Sequence, residues 1–384
     1  MYKFILYPLN MFIVILLGIV FTSLDLSYFY NQPSIGDIFF CISILFFSVF
    51  FYILTFGWGK FSITEDSSLK KIITPLLTIS VTGFFLEMAL YGIPLLVAGG
   101  RDDYKTLPVL HVIFYSMLIT ASLLSSLYGK KKDVFICFGF ILLMSLLFFT
   151  RQMLMVAFMM FMISYIYKGR GSKKIYILSI IFFLFIGVVF SLLGDLRQQS
   201  SGDYVSNYVY IIGGAKNNAR DFGTSFYWLW LYIASPFYNL FYNVHIHEIM
   251  SNPCVNFNLQ GDCIIPYLDN VILPNTISKY TTNNPIEVST VVDNLTVGTG
   301  FAKSARIYGV FGTYIQITLQ FLFYIIGFIV MPKRVRPAYI IYFSTLSFFM
   351  VFDDLYVKGE FFFVFIILTI IGFYLRRKDK CTES

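Results

Sequence analysis

The chain has 384 residues, 58% of them hydrophobic and 20% aromatic, but only 13% charged. A soluble domain carries about 25% charged residues, so this composition excludes an ordinary soluble globular protein. The net charge of +7 matters less for its size than for where the charges lie.

Runs of about 20 apolar residues recur along the chain, each long enough to cross a bilayer. In chain order they predict membrane spans at Phe4–Leu24, Ile38–Gly57, Ile72–Leu90, Leu107–Tyr128, Val134–Phe149, Met153–Tyr167, Ile175–Gly194, Ile307–Met331, Ala338–Val351 and Phe361–Leu375. The first is not followed by a small-residue cleavage site and reads as a retained helix. The expected fold class is an all-α polytopic membrane protein of about 10–12 transmembrane helices, with residues 1–384 forming one integral membrane domain.

The connections between spans divide by charge. Eighteen of the 28 Lys and Arg fall in one set, from Lys3 through Lys130–Lys132, Lys168–Lys174 and Lys333–Arg336 to Arg376–Lys380. Only five of the 21 acids join them. By the positive-inside rule that side is cytoplasmic, and both termini lie there.

Phe226–Val244 disturbs this parity. A full crossing would turn Lys333–Arg336 and Arg376–Lys380 outward. The stretch contains Ser235-Pro236, and proline disfavours helix at the residue before it. A broken or re-entrant segment is expected, tolerated where protein or water covers its backbone; an additional span nearby would restore the parity equally well.

Two outward connections, residues 195–225 and 245–303, are far longer than turns, and such connections are usually functional or disordered. They interleave Tyr, Trp and Phe with Asn, Asp and Gly rather than repeating a simple composition. Cys254 and Cys263 share the second loop as a disulfide or as two free thiols, whereas Cys41 and Cys137 sit in spans as packing residues. His111, alone in a span, is expected to be packed and hydrogen-bonded rather than a ligand. No internal repeat, phosphate-binding loop or His/Cys metal spacing occurs, and no metal or other cofactor is expected.

The run SLLFFTRQMLMVAFMMF sets Arg151 in an otherwise apolar stretch, where an unpaired charge costs about 2.5 kcal/mol or more. The spans place it at the outward mouth between two helices. Four more arginines share that side: Arg101 in GGRDDYK, Arg197 in GDLRQQS, Arg220 in NNARDFG and Arg306 in KSARIYG. Singly, each could be an interfacial side chain or a carboxylate partner. Together they fit a lipid-linked phosphate or pyrophosphate, because the planar guanidinium fork binds phosphate oxygens bidentately.

The ordered stretches LYGIPLLVAGGRDDY, FFTRQMLMVAF, LLGDLRQ, IASPFYNLFYN and ARIYGVFGTY resemble the features of O-antigen polymerases of the Wzy type, from about Tyr91 to Gly312. One departure is Val310, where many such enzymes carry an acidic residue. The resemblance implies a glycosyltransferase of lipopolysaccharide biosynthesis in the bacterial inner membrane. It would polymerise undecaprenyl-pyrophosphate-linked oligosaccharide repeat units at the periplasmic face. Its implied partners are that lipid-linked substrate, membrane lipid, a Wzz-type chain-length regulator and the flippase, with no nucleic acid.

Such chemistry needs fixed positive charge for a pyrophosphate leaving group and a base for the acceptor hydroxyl. Arg101, Arg151, Arg197 and Arg306 are candidates for the first role, and Arg220 for guiding the glycan. Asp195, His245 and His247 lead the candidates for the second, with Asp203 and Asp221 beside them. Tyr204, Tyr208, Tyr210, Trp228 and Trp230 offer stacking faces for sugars, or an interfacial belt. An O-antigen ligase and a lipid-linked oligosaccharide flippase are the rival readings. Glu87, Asp353 and Asp354 are expected as counter-ions of the arginines.

Overall fold

A computed structural model describes residues 2–57, 66–94, 105–148, 150–169, 177, 207–249, 263–281 and 286–383. Among them the backbone is helical wherever it is regular, with one isolated bridge between Ser27 and Ala215. The long helices are α1 Leu9–Ser23, α2 Ile35–Leu54, α3 Ser67–Tyr91, α4 Leu110–Tyr128, α5 Lys131–Leu147, α6 Arg151–Gly169, α7 Thr224–Ile249, α8 Ala302–Val330, α9 Arg336–Phe349 and α10 Gly359–Glu383. Five of these, α2, α3, α4, α8 and α10, are long and apolar enough to cross a membrane. Nine of the ten expected spans have a helix at their position, and Ile175–Gly194, save for Ile177, lies outside the described residues.

One expected span is short and enclosed. Helix α9 has 14 residues, about 21 Å of helix against a hydrocarbon layer of about 30 Å. Nearly every side chain from Pro337 to Phe349 is buried. A helix that is apolar all round is buried, in a protein core or as an inner span of a membrane bundle. Asn10 of α1 donates to the Ser344 carbonyl (2.6 Å) and to Ser347 Oγ (2.5 Å), tying α1 to it.

Helices α3 and α4 form an antiparallel pair with legible register. Ser80 donates to the Phe114 carbonyl (2.6 Å), Gly83 lies against the Phe114 ring, and Glu87 reaches His111. Buried hydroxyls are satisfied locally: Ser116 and Thr120 donate to the carbonyls of Val112 and Ser116, each 2.7 Å away. This return bond lets a polar side chain sit in an apolar helix.

The helix ends gather at two faces. At one, Arg334 pairs with Asp66 (3.6 Å) and Asp379 (3.0 Å), Tyr128 donates to the Arg334 carbonyl, and Lys168 donates to the Ser126 carbonyl. This is the basic end of the bundle. The opposite end holds the starts of α2, α4, α8 and α10.

Helix α7 lies across that opposite end. Phe226, Trp230, Phe237 and Tyr238 all meet α1 between Gly18 and Thr22. Residues 226 and 238 are about 18 Å apart along a helix, whereas Gly18–Thr22 spans about 6 Å. A helix running alongside α1 would have a matching spread of contacts, so α7 crosses α1 near its end. Its far end meets the start of α2, where His245 approaches Asp37. The expected break in Phe226–Val244 is corrected: the helix continues through Pro236.

Candidate functional site

Helix α8 opens with Ala302–Ile307, then departs from helical geometry at Tyr308 (φ −127°, ψ 19°) and Gly309 (φ 58°, ψ −143°) before continuing. Only glycine adopts the second conformation without strain. The kink creates a socket for His247 of α7. A Cβ on Gly309 would stand 2.7 Å from His247 Cδ2. The imidazole faces the backbone carbonyls of Arg306 and Ile307 and senses the Arg306 guanidinium. Its Nδ1 is enclosed, with no hydrogen-bond partner among the described residues. Arg306 is half-buried and interacts electrostatically with exposed Tyr242. The kink therefore brings together two residues singled out by sequence, on helix ends about 60 positions apart.

His245 belongs to a different contact. Residues two apart on a helix are about 200° apart around it, so His245 and His247 meet different neighbours. His245 is exposed, with Nε2 3.4 Å from Oδ1 of buried Asp37. Asp37 is held by the capping box of α2: its Oδ2 accepts from the Ser34 amide (2.9 Å) and hydroxyl (2.7 Å), and its own amide donates to Ser34 Oγ. A carboxylate at a helix N-terminus is favoured by the dipole. The arrangement gives an exposed imidazole with a fixed carboxylate behind it, a pairing suited to accepting a proton.

The other sequence candidates are placed less centrally. Arg101, Asp195, Arg197, Asp203 and Tyr204 lie outside the described residues, and Arg151 is the first residue of α6. Arg220 is exposed at the end of the short helix Asn217–Arg220, near Tyr210. From Thr224 to His247 is about 35 Å of helix, so Arg220 and the His247–Arg306 contact stand at opposite ends of α7. The sugar-stacking expectation for Trp228 and Trp230 is corrected. Both are buried, and Trp230 Nε1 donates to the Phe21 carbonyl (2.7 Å) as part of the core around Tyr30 and Tyr227.

The acids expected as arginine counter-ions have other partners among the described residues. Buried Glu87 accepts from the Leu107 amide and pairs with His111 Nδ1, both at 2.7 Å. Asp353 pairs with Lys358. Asp354 accepts from Gln316 Nε2 (2.7 Å) and the Tyr356 amide (2.9 Å). Sequence reasoning missed Gln316 and Thr299 altogether, because an uncharged polar residue in an apolar run gives no signal of what it faces.

The loop after α7 is strapped down by two asparagines four positions apart, hence on one helix face. Asn239 donates to the carbonyls of Leu295 and Val297 and accepts from the Val291 amide. Asn243 donates to the Ser289 carbonyl and accepts from the Ser289 amide. Each side chain replaces a backbone partner for a segment without regular structure. Cys263, further back in the loop, is disulfide-bonded, and Cys254 lies outside the described residues. Among the described residues no group of three His, Cys, Asp or Glu is placed to hold a metal.

No protein-family model matches the chain, and no curated protein or solved structure matches it either.

Proposed function

We propose that the chain is a multi-pass inner-membrane glycosyltransferase that polymerises undecaprenyl-pyrophosphate-linked oligosaccharide repeats at the outer face of that membrane. In this reading the basic end of the bundle and both termini face the cytoplasm, and 10–12 spans complete the membrane domain. The kinked start of α8 and the end of α7 face the periplasm.

The observation that supports this reading is the convergence of His247 and Arg306 at the Gly309 kink, at the end opposite the basic cluster. Arg306 would hold a pyrophosphate oxygen, and one of the two imidazoles would take the acceptor hydroxyl's proton. In the reaction, that hydroxyl oxygen forms a bond to the donor's anomeric carbon as the bond to pyrophosphate breaks. Growing chain thus moves onto a new repeat, and undecaprenyl pyrophosphate departs. Partners in this reading are the lipid-linked repeat, a Wzz-type chain-length regulator and the flippase.

Deletion of the gene and electrophoresis of surface lipopolysaccharide tests the reading. A single-repeat cap without a ladder is expected. Loss of every repeat points to a ligase or flippase, and an unchanged ladder rejects the glycan role.

A further inference from the structure

The α9–α10 connection, the start of α8 and the loop strapped by Asn239 enclose a cavity of about 250 Å³. Its polar lining includes Asn270, Thr299, Lys303, Gln316, Asp354 and Lys358, and Phe352 and Val288 supply apolar wall. The space far exceeds that of one water and falls short of a drug-sized cleft of about 300–1,000 Å³.

Two of the lining side chains are almost wholly buried yet incompletely partnered. Thr299 Oγ1 and Gln316 Oε1 have no hydrogen-bond partner among the described residues, and their residues are 4% and 2% exposed. Gln316 is not free to turn away. Its Nε2 donates both to the Gly300 carbonyl (2.9 Å) and to Asp354 Oδ2 (2.7 Å), which fixes the amide and leaves its carbonyl oxygen unpaired. Buried polar groups are ordinarily satisfied, so two exceptions lining one cavity call for an occupant.

Charge narrows its chemistry. Asp353 is paired with Lys358, and Lys303 acts on Asp354. Each of the two ammonium groups lining the cavity thus faces a carboxyl group of its own. Amides, a hydroxyl and a carboxyl beside an apolar wall suit a ring with hydroxyls on its edge and C–H groups on its faces.

We propose that this cavity is a subsite for one neutral sugar ring, held at its hydroxyls by Gln316, Thr299 and Asp354. The assignment of the ring to a glycan substrate rests on the polymerase reading; the existence of the subsite does not. Burial pushes the Asp354 carboxyl up to about 7, with Asp353 raising it further and the Tyr356 amide, Gln316 and Lys303 opposing. Tyr267 and Tyr356 also face it. Near neutrality it can donate to or accept from a hydroxyl.

The test is saturation-transfer NMR on the full chain in detergent micelles, with D-glucose, D-galactose, D-mannose, L-rhamnose and N-acetyl-D-glucosamine as separate probes. Thr296 and Asn275 line the cavity and are exposed, so Thr296→Trp and Asn275→Trp block it without disturbing the core. At least one sugar should respond with the wild-type chain, and that response should be lost in both variants while their melting temperatures hold. No response from any sugar, or one that survives both variants, overturns the subsite. A sugar response that stands beside an unchanged lipopolysaccharide ladder after gene deletion would remove the polymerase reading and leave the subsite in place.

Discussion

His247 and Gly309 are fitted to one another: the histidine of α7 occupies the space that a side chain on Gly309 of α8 would need. Gly309→Ala meets two obstacles, a left-handed φ of 58° and a Cβ 2.7 Å from the imidazole. Strain of this kind costs about 1–3 kcal/mol. We expect Gly309→Ala to lose the ladder while Gly139→Ala, with open space around its Cβ, keeps it. Complementation of a deletion strain measures both.

Glu87 and His111 form the most enclosed pair between α3 and α4. Removing one partner leaves buried hydrogen-bonding groups unsatisfied, at about 1–3 kcal/mol. Glu87→Ala should therefore lower the melting temperature of the purified protein sharply, and Glu87→Gln, which still accepts from the Leu107 amide, much less. Equal losses would show that the hydrogen bond from the Leu107 amide contributes nothing.

Asn239 and Asn243 bind the segment that forms the cavity rim. Each makes two or more hydrogen bonds to that segment, at about 0.5–1.5 kcal/mol apiece. Asn239→Ala should lower stability by roughly 1–3 kcal/mol and speed amide exchange at Val291, the donor it loses. Unchanged exchange would mean that the segment is held by other contacts.

Asp354 should leave a pH signature. Its carboxyl titrates at 3.8 when free and at about 7 in the fold. Between those values the folded chain holds a proton that the unfolded chain has released. The stabilisation is complete below the lower value and is lost as pH rises through the upper one. From about pH 5 to pH 8 the wild type should lose roughly 1–3 kcal/mol more than Asp354→Asn does. The difference in melting temperature between the two pH values measures this for each protein.

The helices were legible because apolar runs of membrane length are a coarse and repeated signal. The division of lysines and arginines likewise marked which ends gather, as Arg334 with Asp66 and Asp379 shows. Partnerships were less legible. Asp353 and Asp354 read as free acids near arginines, yet a lysine five positions on and a glutamine from another helix hold them. By residue type alone Trp228 and Trp230 suit a sugar platform or an interfacial belt, but α7 turns both into the core. The Gly309 kink was unreadable because φ at a single glycine has no periodicity. His247 and Arg306 were chosen for their chemistry, and only the fold put them in contact.

The most direct measurement is polymerisation by the purified protein in liposomes containing synthetic undecaprenyl-pyrophosphate-linked repeats. The wild-type chain should yield a ladder of extended glycans and release undecaprenyl pyrophosphate. Arg306→Lys, which keeps the charge but loses the bidentate fork, and His247→Ala should each yield single repeats only. A wild-type protein that extends nothing, or an Arg306→Lys variant with the full ladder, contradicts the role given to this end of the bundle.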